Sequence, residues 1–417
     1  MGDRPDDWDE IPGKDQLGIY LEDRIRTKLF AREAIVSMGL RWDRVSTKTL
    51  FAGNVGDMVS PRINLNWSVL DQLSLRMGWG KASKSPTLSQ LYPGKRYFDL
   101  VNFNYFANDP AERLVVITTK VINLNDQPLK PYTMNKWEGG FTFSNAHWDI
   151  TGTLFYEKTD NAISYVRQAV PMQYDKYQID YERDGQPPVL MLEPASTATF
   201  FAGVDVPRNN LTIINKGFEY TLSSPRLDAI NTEVLLNGAW YFTTSQNHGQ
   251  IAESSFIYAN ASSPTRIPLY EKTGNVESQR LNSSLRTVTH IPQIGFVVST
   301  LWQAIWIDKS TSGVLSEYPT GYVNTQGEII ALTPEQARSE EFSDLRRVLA
   351  DARQNSYPSL HLFNLKVTKE WKDKSRFSFY VNNIFNHRPL HQNDASGTFV
   401  RRNPPTTFGL EIIYKIN

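Results

Sequence analysis

The residues best suited to hold a metal or move a proton are six histidines: His147, His248, His290, His361, His387 and His391. Only His387 and His391 stand four apart, the spacing at which two imidazoles on one helix face can grip zinc. Pro389 lies between them and breaks any such helix, so they read as loop histidines. The chain has no cysteine, which removes thiolate metal sites and disulfides. Glu340 and Glu341 form an acidic pair, but on a segment that reads as a solvated loop helix. No G-x-S-x-G turn, H-E-x-x-H pair or Walker loop occurs, and Gly78 and Gly80 belong to a strand pattern rather than a phosphate loop. The expectation is a protein that is not an enzyme, with no cofactor and no resident metal.

What remains is recognition chemistry. The run RYFDLVNFNYF (96–106) gathers Arg96, Tyr97, Phe98, Asp99 and Tyr105. Aromatic rings stack on flat or sugar ligands, while arginine and carboxylate read charge. These five are the candidate ligand contacts, with loop-to-loop packing as the competing reading. Nucleic acid is not an expected partner: Lys plus Arg and Asp plus Glu number 44 each, so no global basic field exists.

The elements that must position these residues are strands. In Arg62–Leu70, Ile63, Leu65, Trp67 and Val69 share one face while Arg62, Asn64, Asn66 and Ser68 share the other. The same period of two runs through Glu33–Asp43, Gln72–Gly80 and Phe408–Ile416. Further strands are expected at roughly 16–27, 134–144, 147–159, 211–224, 231–245, 279–289, 293–307, 358–371 and 374–385, about thirteen in all. The apolar faces carry rings near strand ends: Trp42, Trp67, Trp79, Trp148, Tyr156 and Trp240. Girdles of this kind mark lipid interfaces in membrane barrels, and a core face in a large soluble β-protein is the alternative. Mean hydropathy is −0.42 although 12% of residues are aromatic, so wet and apolar surfaces must lie side by side.

Connection lengths separate these readings. The links alternate short and long through the whole chain, which puts every long loop at one end of the sheet, as in outer-membrane barrels. No run of about 18 apolar residues is present, so no membrane-spanning helix is expected. One long link holds Thr333-Pro-Glu-Gln336, a capping box with proline at the first helical position. Phe342, Leu345, Leu349 and Ala352 then recur at helical spacing, predicting a surface helix to about Gln354. In RFSFYVNNIFNHRPL (376–390), Phe377, Phe379 and Val381 alternate with Ser378, Tyr380 and Asn382. The asparagines that follow can satisfy backbone groups as the strand meets water, and Pro389 ends pairing.

Several segments, in order, resemble the C-terminal part of TonB-dependent outer-membrane receptors. They are GLRWDRV (39–45), SPRINLNWSV (60–69), LSLRMGWGKASKSPTLSQLYPG (73–94), NKGFEYTLS (215–223), VNNIFN (381–386) and FGLEIIYKI (408–416). The resemblance implies an all-β fold, an antiparallel meander of about thirteen strands forming part of a 22-stranded transmembrane β-barrel. Residues 1–15 would be the remnant of an extracellular loop and 16–417 the C-terminal portion of the barrel. Members begin with a signal peptide, a TonB-contacting segment and a plug domain, none of which is identifiable here, so a fragment is expected. The implied location is the cell outer membrane, with outer-membrane lipid as one partner. The full-length parent would import a scarce nutrient (a metal-siderophore, cobalamin or an oligosaccharide) using TonB-derived energy, and would meet TonB only through the missing N-terminal and plug region. The alternatives are a soluble secreted carbohydrate-binding β-protein and a passive porin or adhesin barrel.

Overall fold

Alternation settles into thirteen antiparallel strands in simple chain order. The computed structural model describes residues 4, 9, 11–47, 55–253, 264–273, 275–347, 354–392 and 397–414. The first strands are β1 (Asp15–Leu29), β2 (Arg32–Ser46), β3 (Gly56–Leu70), β4 (Leu73–Lys84), β5 (Tyr132–Ser144) and β6 (Asp149–Lys176). They continue with β7 (Ser196–Ser223), β8 (Thr232–Asn247), β9 (Val276–Ile291), β10 (Phe296–Thr311), β11 (Leu360–Glu370), β12 (Arg376–Asn382) and β13 (Thr407–Ile413). A short piece, Gln354–Ser356, adds to β10 alongside β11.

Register keeps the two faces chemically separate across the sheet. One row runs Ile25, Val36, Leu65, Met77, Gly139, Leu154, Phe218, Trp240. The row one residue away runs Arg24, Ser37, Asn64, Gly78, Glu138, Phe155, Gly217, Tyr241. A slip of one residue in any strand would exchange its two sets. On the apolar face Met77 is 60% exposed, Leu154 66% and Ile412 73%. A continuous apolar surface of this kind needs an apolar solvent or a partner.

The short connections all lie at one end, between β1 and β2, β3 and β4, and so on to β11 and β12. The first consists of Phe30 and Ala31, both at positive φ (49° and 63°). This is the two-residue hairpin geometry that usually selects Asn-Gly. Here the Phe30 ring lies 5.8 Å from that of Trp67, whose indole N–H donates to the Leu29 carbonyl at 3.2 Å.

The long connections at the other end build a second body. β6 and β7 continue far past the expected ends near 159 and 211, pairing out to Lys176 with Ser196. Alternation fades there because both faces are covered. Phe98 and Leu100, from the hairpin Lys95–Tyr105/Leu114–Asn123, and Leu124 just after it pack on Met172, Ala202, Val204 and Val206. On the opposite face Ala169 and Phe201 meet Ala252, Ile267, Leu269 and Val323 from two other connections. We call this double-sided assembly the turret.

The predicted loop helix is shorter than expected. Thr333 caps it with its capping box intact, but the helix ends at Arg338 and gives way to a 3-10 segment over Glu340–Leu345. Ser339, in extended conformation, breaks the run. Phe342 and Leu345 are buried as expected, while Leu349 and Ala352 lie outside the described residues, as do Ile416 and most of residues 1–10.

Candidate functional site

Two surfaces can do chemistry, the polar face of the sheet and the outer faces of the turret. On the polar face, glycines open space between charged side chains. Arg62 donates to Glu22 at 2.6 Å across Gly39, where a Cβ would stand 2.7 Å from the Arg62 Nε. Gly78 likewise lies under Asn64, whose Oδ1 would be 2.7 Å from an added Cβ. Lys136 pairs with Glu138 at 2.7 Å. Gly39, Gly78 and Gly80 form the floor of a cavity of about 500 Å³ walled by Arg62, Asn64, Lys136 and Glu138. A second space of about 420 Å³ adjoins it, with Arg24, Arg76 and Glu219 on its lining.

Further along the same face the character changes. A cavity of about 540 Å³ over β7–β11 is lined by amides and hydroxyls such as Asn237, Ser284 and Gln303. Its carboxylate, Glu219, accepts from the Tyr241 hydroxyl at 3.2 Å. The polar wall thus grades from paired charge to neutral hydrogen-bonding groups. At the long-connection rim Asp308 accepts from Arg280 at 3.1 Å and from Arg402 at 2.7 Å. The Arg402 guanidinium lies 4.6 Å from the centre of the Tyr357 ring, which fastens the last long connection to β9 and β10.

The last of these connections explains the asparagines after β12. Asn383 is fully buried at φ 49°. Its side chain donates to the Pro404 carbonyl at 2.8 Å and accepts from the His387 N–H at 3.0 Å. His387 is therefore placed by a turn, and its Nδ1 accepts from the His361 backbone N–H at 3.2 Å. Among the described residues no group of three or more His, Asp or Glu is arranged to hold a metal ion.

The five candidate contacts are divided by the hairpin. Phe98 is 4% exposed and packs in the turret core, its ring 6.1 Å from Phe200. Tyr97 and Asp99 share the outer face with Val115, Ile117 and Val121, each about half exposed. Asp99 accepts from the Thr119 hydroxyl at 2.6 Å and from Arg4 at 2.8 Å. The Thr119 hydrogen bond first, then the Arg4 charge, hold its carboxyl below the usual range. Arg4 also covers Tyr97, 4.9 Å from the ring centre. Arg96 is exposed at the margin of the buried side. A bulge at Asn102 turns Tyr105, paired with Leu114, to the face opposite Tyr97. Sequence reasoning missed Thr119 and Arg4, which are distant in the chain and carry no motif.

A family model described as TonB dependent receptor-like, beta-barrel, matches residues 1–384. No curated protein matches the chain. Among solved structures the chain is similar to the outer membrane transporter YddB from Escherichia coli, with a TM-score of 0.54 and 11% identity, covering 95% of this chain and 44% of that one. It is also similar to a variant of the ferric enterobactin receptor PfeA from Pseudomonas aeruginosa in complex with enterobactin, with a TM-score of 0.50 and 17% identity, covering 95% of this chain and 45% of that one. At these identities the likeness is one of fold, and the chain spans less than half the length of either receptor.

Proposed function

Because the chain belongs to the TonB-dependent receptor-like β-barrel family, we propose that it supplies lumen wall and extracellular rim to an importer of a scarce nutrient. The family is one of outer-membrane transport receptors, not of enzymes. In this reading the apolar face meets lipid, the polar face lines the lumen and the turret stands outside the cell. The observation that supports it is the two-faced meander with every long connection at one end. A soluble carbohydrate binder would have no use for Met77, Leu154 and Ile412 standing out from one face.

Tyr97 and Asp99 are the proposed cargo contacts on the turret's outer face, with Arg96 at its margin, Tyr105 on the opposite face of the hairpin and Phe98 holding the hairpin from beneath. The cargo class is a metal-siderophore, cobalamin or an oligosaccharide. The remaining strands of a 22-stranded barrel, the plug and the TonB contact are assigned to the part of such receptors that this chain does not span.

Uptake by cells carrying the whole receptor tests the proposal, with labelled ferric siderophores, cobalamin and oligosaccharides offered in turn. One class should accumulate, only with TonB present and the inner membrane energised, and Tyr97→Ala with Asp99→Ala should cut that uptake at least several-fold. Accumulation that continues without TonB would favour a passive porin. A chain that stays monodisperse in buffer without detergent would remove the membrane reading altogether.

A further inference from the structure

In the apolar row Leu65, Met77, Gly139, Leu154, Phe218, the position at Gly139 has no side chain. A Cβ there would meet nothing within 4 Å, and Gly139 is not among the glycines at positive φ. Neither packing nor backbone geometry demands glycine, so its consequence is open space. The space is part of a groove of about 720 Å³ on the lipid-facing side, walled by Leu65, Met77 and Leu154.

The next row toward the long-connection end closes the groove with rings and a cation. Trp79 and Trp137 lie 5.8 Å apart, Tyr156 pairs with Trp137, and Lys216 pairs with Tyr156. Lys216 is a cation in that row, where an ordinary lipid-facing wall needs none. It is exposed, its ammonium lies 5.0 Å from the centre of the Phe242 ring, and it lines the same groove. The carboxylates nearest in register are engaged elsewhere: Asp160 with Lys158 at 2.9 Å, and Glu157 with Asn215 at 3.2 Å on the polar face. Rings at that level sit where acyl chains give way to headgroups, and a lysine in register with them can extend its ammonium along its flexible stem to the headgroup phosphates.

We propose that this groove seats a phosphorylated, acylated lipid of the outer leaflet. One acyl chain lies over Gly139 between Met77 and Leu154. The rings of Trp137 and Tyr156 flank its polar junction, and the phosphate rests on the Lys216 ammonium. The chemistry is that of a fixed lipid site on the barrel's outside, separate from any cargo in the lumen. It rests on the outer-membrane placement of the chain and not on the choice of cargo.

Native mass spectrometry of the full chain in neutral detergent tests this, with bis-phosphorylated lipid A and its dephosphorylated form as probes. The phosphorylated lipid should bind about tenfold more tightly. Lys216→Gln should abolish that preference while leaving the dephosphorylated lipid unchanged, and Gly139→Leu should weaken both. Lys369→Gln, on the same face at the short-turn end, should alter neither. Equal binding of the two lipids by the unaltered chain would overturn the proposal. So would a Lys216→Gln chain that keeps the preference, or a Lys369→Gln chain that loses it. If Gly139→Leu fails to fold, as far-UV circular dichroism would show, the lysine variants decide alone. No cargo is used, so failure here is distinct from failure of the transport reading.

Discussion

The sheet wall and the turret are built from the same strands, β6 and β7, yet their side chains answer to different solvents. Below about Thr159 and Leu211 each strand has one apolar and one polar face. Above that level Phe201 is 1% and Ala202 0% exposed although they are consecutive and point to opposite faces. One sheet thus passes from a boundary between two media to the middle layer of a small protein-like core. What holds each part together should differ accordingly, and substitutions can tell the two apart.

The largest effect is expected in the turret. Phe201→Ala empties a packed site beside Ile267, and such truncations cost about 3–5 kcal/mol. The loss should be local. Hydrogen exchange should rise over 160–176, 196–210 and 264–273, while protection of β3–β5 stays as it was. If β3–β5 lost protection equally, wall and turret would be a single cooperative unit and the comparison would fail.

The wall is tested by charge rather than by volume. Leu154→Arg puts a guanidinium into the lipid-facing row two residues below the ring level, and should cost about 1–3 kcal/mol, between the midplane and interface values. Ser284→Arg, on the lining of the lumenal cavity, should stay within about 0.5 kcal/mol. Urea unfolding in lipid vesicles measures both. Equal costs would mean that the two faces do not meet different media.

This contrast also explains what could be read from sequence alone. The wall was legible because two solvents impose a period of two, so Arg62–Leu70 announces both faces by itself. The turret was not, since around Ala169–Met172 the strand is covered on both sides and its pattern resembles no single-faced strand. Phe98 and Tyr97 alternate as any half-buried pair does, but which of them turns inward depends on where the hairpin lands, and that is set by Ala202 and Val204 far along the chain. The asparagines after β12 were legible as a turn because their side chains act locally, as Asn383 does. The lumenal pairing of Arg62 with Glu22 spans two strands, and only register reveals it.

Alkaline titration sharpens the comparison at a smaller scale. Tyr270 is fully buried in the turret, where its hydroxyl donates to the Leu345 carbonyl. Burial is the main cause that raises its pKa above the ordinary 10.0. The folded state therefore keeps a proton that the unfolded chain releases. The resulting stability is complete below about pH 10 and is lost progressively as pH rises beyond it. Proteolysis within the turret should accelerate above pH 10 while the wall remains resistant. Tyr270→Phe should remove much of that dependence, at a cost of about 1 kcal/mol for the lost hydrogen bond.

The smallest effect belongs to the wall's inner rim. Phe30 and Ala31 hold left-handed conformations that favour glycine or asparagine. Phe30 is anchored by Trp67, a neighbour on the lipid-facing side, so its strain is offset by ring contact. Ala31 has no such aromatic partner and is exposed. Ala31→Gly should therefore stabilise the wall by up to about 1 kcal/mol, because the relief of strain exceeds the entropy added to the unfolded chain. Phe30→Gly should instead destabilise it, despite an easier backbone, since the ring contact is lost. If both glycines stabilised alike, the backbone alone would govern the turn, and the rings at the wall's inner edge would contribute nothing to holding the first two strands in register.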